Sequence, residues 1–319
     1  MPRNRSLAGG RNRGGIRLLT SAATSKMSHA IGIDLGGSSV KAVRVRANGD
    51  IATKHTVPFE DDARMDWASK ISSIVDDLKR PDEPACVGLS APGLAARDGR
   101  SIAVMPGRLQ GLAGLNWTQH LKSSTPVPVL NDAQAALLGE VWQGAGKSYT
   151  NVIMLTLGTG VGGAAMVDGR LLRGHIGRAG HLGHISLDPD GIPDVARTPG
   201  SLEVLIGNYT IQERTGGRFA TTHDLVAAHL KGDTNATAVW LKSVQALAAG
   251  IASLINVLDP EAVIIGGGIA RSGDTLFRPL QKYLDVMEWR PAGHAAKIIP
   301  AQLGEFAGAI GAARNALTC

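Results

Sequence analysis

Three histidines lie within ten residues of one glycine-rich segment. The segment HIGRAGHLGHISLDPDG spans residues 175–191 and contains His175, His181 and His184, a third of the nine histidines in the chain. Neutral imidazole is a common metal ligand, and it also exchanges hydrogen bonds with hydroxyl groups. A metal site, a pocket for a hydroxyl-bearing ligand and three unrelated side chains are therefore the interpretations to weigh.

A second candidate for chemistry is the pair Asn131-Asp132 in VLNDAQAALLGE. A carboxylate within hydrogen-bond reach of a hydroxyl can accept its proton as the oxygen attacks. Asparagine and aspartate are also common helix N-caps, and the residues that follow are typical of a helix start. Capping alone is the alternative. The elements described below place the pair at the junction of two lobes, which favours catalysis by Asp132.

Glycine-containing turns follow two apolar runs, at residues 34–39 and 158–160. Glycine lets peptide N–H groups approach a ligand without a Cβ in the way, and such amides form an anion-binding concavity. Asp34 beside the first turn is a suitable partner for hydrated Mg²⁺ near phosphates. One glycine pair is a weak signal, but two in matching settings are stronger. The predicted phosphate-binding residues are Asp34, Gly36, Gly37, Ser38, Gly158, Thr159 and Gly160.

The two turns belong to a pattern that occurs twice in the chain. An apolar run at 30–37 is followed by an alternating segment, an Asn48-Gly49 hairpin signal and a further strand. The same order recurs from residue 151, where the second unit has an apolar run, a glycine-rich interruption, renewed extension and the turn Asp168-Gly169. One architectural unit is therefore predicted to be used twice.

The apolar pattern changes to a helical period at residues 63–80 and 243–259. Each of these helices is followed by a buried strand, at 85–93 and at 262–268, as in βαβ crossovers of a largely parallel sheet core. The order predicts an N-terminal α/β lobe over residues 28–134 and a C-terminal α/β lobe over 135–319. Packing of the last helix back on the N-terminal lobe is left open.

The net charge of +6 is concentrated at the N-terminus, where no acidic residue precedes Asp34. Six of the 33 basic residues lie there, so the rest of the chain has 27 basic and 27 acidic residues. Residues 1–27 are predicted to be a disordered basic tail, with a transit peptide or a nucleic-acid-binding arm as weaker alternatives. The neutral body gives no indication of a nucleic-acid partner.

Other sequence features limit the setting of the protein. No run of about 18 apolar residues predicts a membrane span. The two cysteines, Cys86 and Cys319, are too few for a disulfide framework. A cytoplasmic location and no membrane partner are expected.

Taken together, the motifs resemble the ROK family of bacterial sugar kinases and sugar-responsive repressors, within the actin-like ATPase superfamily. The resemblance covers residues 29–315 and rests on IGIDLGGSSVKA, VLNDAQAALLGE, LTLGTGVGGAAMVDGRLLRG, GHLGHISLDPDG, VLDPEAVIIGGG and LGEFAGAIGAA. It implies an α/β, two-lobed actin-like ATPase (ribonuclease-H-like) fold with duplicated βββαβα units and an interlobe cleft. LGEFAGAIGAA itself is interpreted only as a small-residue helix packed closely on another element.

The resemblance also implies roles for individual residues. Asp132 corresponds to the catalytic base that activates a sugar hydroxyl toward the γ-phosphoryl group of Mg-ATP. The residues that pass close to the adenosine correspond to Gly266, Gly267 and Gly268. The sugar ligands correspond to Asn131, His181, His184 and Glu203. A homodimer or homotetramer is expected, as is common among ROK kinases.

The chain departs from the family pattern around the histidines. Family members have Glu-x-Gly-His and then a Cys-x-Cys-Gly-x-x-Gly-Cys zinc loop, whereas here His181 replaces the glutamate and residues 192–203 contain no cysteine. No structural zinc is therefore expected. Because a histidine donates as well as accepts, glucose is not assumed to be the substrate. Arg108 lies near a family asparagine that binds sugar, and is either a pocket cation or an exposed loop residue.

Three activities remain open at this point. The leading expectation is an ATP-dependent sugar kinase. A sugar-sensing or non-catalytic ROK protein is the alternative, although family repressors need a winged-helix domain that about 27 preceding residues cannot hold. Some zinc-free family members use polyphosphate, so a polyphosphate-using sugar kinase is the third.

Overall fold

A computed structural model describes residues 27–61 and 64–319. The predicted basic tail therefore lies outside the described residues, except for Met27. The first sheet has the strand order β3-β2-β1-β4-β7. The strands in chain order are β1 (His29–Leu35), β2 (Ser39–Arg46), β3 (Ile51–Pro58), β4 (Ala85–Ala91), β5 (Leu94–Ala95), β6 (Ile102–Val104) and β7 (Val129–Asn131), of which β5 and β6 form a small separate ladder.

The second sheet repeats this plan. Its order is β10-β9-β8-β11-β12. In each sheet the first three strands of the unit pair antiparallel, and the next two continue the sheet in parallel. The strands are β8 (Val152–Leu157), β9 (Val161–Val167), β10 (Arg170–Leu171), β11 (Ala262–Gly266) and β12 (Lys297–Pro300). The predicted duplication and mixed α/β class are confirmed.

Helices cover the sheets and connect them. The α-helices are α1 (Asp66–Leu78), α2 (Trp117–His120), α3 (Asp132–Gln143), α4 (Leu202–Ile206), α5 (Ile211–Arg214), α6 (Thr222–Leu230), α7 (Thr234–Leu258), α8 (Asp274–Met287) and α9 (Ala307–Thr318). Short 3₁₀ turns lie at Leu182–His184, Asn208–Thr210, Ile269–Ser272, Pro291–Gly293 and Gly304–Phe306. Helix α7 begins nine residues before the predicted 243, because the Asp233 side chain caps it by accepting from the Ala236 N–H.

Each sheet has a separate hydrophobic core. Helix α1 buries Ile71, Val75 and Leu78 against the first sheet. Helix α7 buries Trp240, Leu247 and further apolar side chains against the second sheet. By length and composition α7 is apolar enough to span a membrane, contrary to the sequence prediction that no such run occurs. Its apolar residues, however, form the centre of this core.

Two helices link the sheets reciprocally. Helix α3 follows the last strand of the first sheet and packs on β8 and β9 of the second, whereas α9 follows β12 and packs on β1 and β4 of the first. The approach of α9 is very close, since a Cβ on Gly32 would lie 1.9 Å from the Ala309 carbonyl oxygen. The small residues of α9 make this contact possible.

One local feature differs from the sequence prediction. Gly162 and Gly163 do not interrupt the strand pattern, because both lie inside β9. A Cβ on Gly163 would lie 2.6 Å from the Cβ of Leu182, so the glycine makes room for the histidine segment. His175, the first histidine of this segment, lies in an exposed turn four residues after β10.

Candidate active site

A cavity of about 400 Å³ lies where the two halves of the molecule meet; it is called the central cavity here. Residues after the carboxyl ends of parallel strands contribute to it from both sheets, which is where open α/β sheets usually bind ligands. Helix α9 forms part of the wall through Gly308. The predicted residues that line it are Asp34, Asp132, Gly266, Gly267 and Gly268.

Asp132 is the first residue of α3 and directly follows β7. Its Oδ1 accepts the N–H of Ala133 at 2.8 Å, and the carboxylate is exposed to the central cavity. The carboxylate is open to the cavity, but it is surrounded by the cavity walls. This burial is the main reason why the pKa of Asp132 is raised. A raised pKa brings a carboxylate closer to the range in which general bases work.

Asn131 is the N-cap of the same helix. Its Oδ1 accepts the Ala133 N–H at 3.0 Å, and its Nδ2 donates to the Gly93 carbonyl at 2.9 Å. The residue is only 6% exposed. Both ends of the amide thus make contacts within the protein, and the capping interpretation applies directly to Asn131.

Asp34 faces the same cavity from the end of β1. Its Oδ1 accepts from the Ser90 hydroxyl at 2.7 Å. Burial raises the pKa of Asp34 to about 6, with a further contribution from the Asp132 carboxylate, while Ser90 and Lys41 act in the opposite direction. The pair concentrates negative charge in the cavity, as a cation site requires.

The glycine turns take different positions around the cavity. Gly267 has a φ of 89°, and a Cβ there would lie 2.3 Å from the Leu157 carbonyl oxygen, so only glycine fits this turn. Gly158, Thr159 and Gly268 line a neighbouring cavity of about 700 Å³, called the side cavity here. The central and side cavities share Gly268 and Arg271.

The first turn, with Gly36, Gly37 and Ser38, lies between β1 and β2, outside the residues that line these two cavities. Arg108 lies over it and donates to the Gly37 carbonyl. The same guanidinium is 3.6 Å from Asp61, and the Arg108 side chain is 52% exposed. Arg108 therefore contacts the glycine turn and solvent, in a different place from the histidine segment.

The predicted sugar ligands of the second half lie together. The rings of His181 and His184 are stacked with centroids 6.4 Å apart. His181 Nε2 is buried without a hydrogen-bond partner among the described residues, and burial, with His184 nearby, lowers the pKa of His181. Glu203 is buried, and its Oε2 accepts the Val161 N–H at 2.9 Å.

Strand β9 brings this group toward Asp132. A Cβ on Gly183 would lie 1.9 Å from the Val161 carbonyl oxygen, which places the histidine segment directly on the strand. The next residue, Gly162, lies against α3, because a Cβ there would be 3.4 Å from the Cβ of Ala133. Strand β9 therefore contacts both the histidine segment and the start of α3.

Sequence reasoning missed two residues of this region. Arg271 lines both the central and the side cavity, and its signal was a basic residue three positions after the glycine triplet. Asp194 accepts from His184 Nδ1 at 2.7 Å. It lies in residues 192–203, where the family has its zinc loop, and nothing in the spacing of the sequence indicates its contact with His184.

The donors near His184 do not fit the structural zinc of the family. Ligand atoms of His184, Asp194 and Glu203 lie within 4.8 Å of one another, but they supply one nitrogen and two carboxylates with no thiolate. The 2.7 Å contact between Nδ1 and Oδ2 is a direct hydrogen bond. Two ligands at typical zinc distances in a tetrahedral site would be about 3.3 Å apart.

Comparisons with known proteins indicate the family of the chain. The model of the ROK family matches residues 30–318. A glucokinase from Streptomyces coelicolor is 33% identical over 322 residues, which cover 90% of this chain and 97% of that protein.

Solved structures extend the comparison to the fold. A ROK hexokinase from Thermus thermophilus is 28% identical with a TM-score of 0.78, over 91% of this chain and 98% of that one. A ROK family glucokinase from Streptomyces griseus, solved in complex with glucose and AMPPNP, is 28% identical with a TM-score of 0.75, over 91% of this chain and 100% of that one. The predicted two-lobed fold is confirmed, and so is the prediction that the protein is a sugar kinase. The chain therefore belongs to the ROK family.

Proposed function

We propose that the protein transfers the γ-phosphoryl group of ATP to a hydroxyl of a hexose or hexose derivative, with Asp132 as general base. The observation that carries this proposal is the position of Asp132. Its carboxylate, with a raised pKa, opens into the cavity that also contains Asp34 and the glycine triplet. Strand β9 joins this point to His184 and Glu203. The proposed sugar site and the proposed ATP site therefore both border the Asp132 carboxylate.

The nucleotide is assigned to the two connected cavities. Their volumes, about 400 and 700 Å³, are in the range of small-molecule sites. The side cavity has apolar side chains from Val226, Leu230 and Ile269, which suit the faces of an adenine ring. Polyphosphate has no base to fill this space, so the cavity favours ATP as the donor. The glycine amides and the Arg271 guanidinium suit the phosphates.

Asp34 is the residue proposed to hold Mg²⁺ through water. Burial and the neighbouring Asp132 carboxylate raise the pKa of Asp34, and Ser90 and Lys41 offset this only in part. A hydrated divalent cation fits such a group. When bound, Mg²⁺ would supply charge neutralisation at the phosphates.

Four side chains are proposed to bind the sugar: Asn131, His181, His184 and Glu203. Glu203 is an acceptor, whereas His181 offers a donor or an acceptor. A buried His181 Nε2 without a partner among the described residues is a group that a ligand hydroxyl would satisfy. Substitution of the family glutamate by this histidine thereby changes which hydroxyl pattern is accepted.

Catalysis would follow from positioning. His184 and Glu203 orient the sugar, and Asp132 accepts the proton of the attacking hydroxyl as its oxygen bonds to the γ-phosphorus. The bond from the γ-phosphorus to the bridging oxygen breaks at the same time, and ADP leaves with that electron pair. The proton stays on the Asp132 carboxylate until the products leave. Closure of the two halves around the substrates would limit access of water, which competes with the sugar as acceptor.

The setting of the protein is part of the proposal. Cys86 and Cys319 are free thiols, in accord with a reducing compartment that contains ATP, and the cytoplasm is proposed. A homodimer or homotetramer and the absence of a nucleic-acid partner remain predictions.

A panel of acceptors tests the proposed function. Release of ADP from Mg-ATP is measured with glucose, other hexoses, amino sugars and acidic sugars, and polyphosphate replaces ATP in a parallel series. Turnover with ATP that depends on a particular sugar is expected. Turnover only with polyphosphate would contradict the donor, and sugar binding without turnover across the panel would favour a sugar sensor.

A further inference from the structure

The loop between the histidine segment and α4 brings a buried carboxylate to His184. The Asp194 side chain has no exposed surface, and its Oδ2 lies 2.7 Å from His184 Nδ1. Its Oδ1 accepts the N–H groups of Ala196 at 2.8 Å and Thr198 at 3.0 Å. The loop is therefore folded around this carboxylate, and His184 is one of its side-chain partners.

Asp194 is ionised when it makes these contacts. Burial by itself would raise its pKa, but hydrogen bonds from His184, from the Thr198 N–H and from Ser201 outweigh burial and lower the pKa of Asp194. An ionised carboxylate only accepts hydrogen bonds, so His184 Nδ1 must carry the hydrogen. In the neutral ring the other nitrogen, Nε2, is then an acceptor.

We propose that Asp194 is a positioning residue that makes the sugar site independent of a metal ion. It holds the His184 ring and selects the tautomer in which Nε2 accepts from a ligand hydroxyl. This step rests on the proposed function, because it takes His184 as a sugar ligand. A carboxylate paired with a histidine commonly fixes ring orientation and tautomer in this way.

If Asp194 were a metal ligand, the distance between its carboxylate oxygen and the His184 nitrogen would be longer. A metal between His184 and Asp194 would separate their donor atoms, whereas here the two atoms are at hydrogen-bond distance. The third carboxylate of the group, Glu203, is already used by the Val161 N–H. Asp194 and Glu203 thus each accept a hydrogen bond from a group of the protein, so the three side chains can lie together without an ion between them.

The variant Asp194→Asn tests the proposal, with Asp190→Asn as the matched control in the same loop. Asparagine keeps the size of the side chain but lacks the charge, and no longer imposes Nδ1–H on His184. We expect the KM for the sugar to rise about 10- to 100-fold. At saturating sugar, kcat changes much less, and the control keeps both values.

Two further measurements exclude a merely structural effect and a metal. ¹⁵N NMR of His184 should show the Nδ1–H tautomer in the wild type and its loss in Asp194→Asn, with both proteins folded by circular dichroism. Dialysis of the wild type against EDTA should leave the KM unchanged. An unchanged tautomer in the variant, or stoichiometric metal that survives dialysis and is lost in the variant, would overturn the proposal.

The outcomes also separate the two proposals. If the wild type phosphorylates no sugar of the panel, the proposed function fails. The NMR comparison still decides whether Asp194 fixes the tautomer of His184, because it needs no turnover.

Discussion

Asp34 and Asp132 face one cavity, but their local partners suit them to different tasks. Asp34 accepts from Ser90 and lies against Gly308 of α9, where a Cβ would be 2.6 Å from its carboxylate carbon. Asp132 is held at the start of α3 by one backbone N–H and is open to the cavity. The closely packed carboxylate suits a fixed cation site, and the open one suits exchange of a proton with a substrate.

The variant Asp34→Asn should be more stable than the wild type at neutral and higher pH. The pKa of Asp34 is about 6 in the folded protein and 3.8 as its ordinary value, so the folded state favours the protonated form. This contribution to the free energy of unfolding is complete below about pH 4 and is lost as the pH rises through 6.

The neutral asparagine avoids that loss. The gain at pH 8 should be at most about 3 kcal/mol and should shrink as the pH falls from about 6 to about 4, measured by urea unfolding. Asp77→Asn, at an exposed position of α1, serves as the control. The variant should also lose the stabilisation that Mg-ATP gives the wild type. A variant less stable than the wild type at pH 8 would contradict the charge balance described for the cavity.

Sequence reasoning located those residues of the site that belong to local patterns. Asp132 follows a short apolar strand and starts a helix, and the glycine triplet ends a buried strand, so both are visible along the chain. Asp194 could not be found in this way. Its role depends on the path of an irregular loop that meets His184 ten residues earlier in the chain, and periodicity carries no information about such a path.

At the scale of elements, α3 and α9 form the joint between the sheets. Glu140 on α3 is fully buried and accepts three backbone N–H groups. These come from Ala145 at 2.8 Å, Gln302 at 2.9 Å and Leu303 at 2.8 Å. The carboxylate therefore ties the end of α3 to the segment that leads into α9.

Glu140→Gln should weaken this joint. The amide nitrogen of glutamine donates where the carboxylate accepted, so at least one buried N–H loses its acceptor. We expect a loss of about 1–3 kcal/mol in the free energy of unfolding, measured by urea titration. Glu213→Gln on α5 is exposed and should change stability by less than about 0.5 kcal/mol. Equal stability of the two variants would show that the Glu140 contacts do not hold the joint.

The element boundaries show what apolar periodicity can supply. It predicted α1 at 63–80, and the helix spans Asp66–Leu78 with the expected apolar face buried. It predicted only residues 243–258 of α7, because the first turn of that helix is polar and the cap at Asp233 was not recognised. A cap depends on one side chain, so it gives a weaker signal in the sequence than a repeated apolar face does.

At the scale of the whole molecule, the repeated strand order is the feature that the sequence predicted best. Both sheets have three antiparallel strands followed by two parallel ones, and the duplicated runs indicated all of these strands except the last in each sheet. The reciprocal packing of α3 and α9 could not be derived from that pattern, since small residues indicate close packing without identifying the partner. This packing places the central cavity between the two halves, with Asp132 in its wall.

The central claim is that Asp132 is the base for phosphoryl transfer to a sugar, and the most direct test is the turnover of Asp132→Asn. With Mg-ATP and the sugar identified by the panel, kcat should fall about 10²- to 10⁴-fold, because asparagine cannot accept the proton. Sugar binding measured by calorimetry should persist, and Asp77→Asn should behave as the wild type. A kcat close to that of the wild type, with sugar binding intact, would contradict the account.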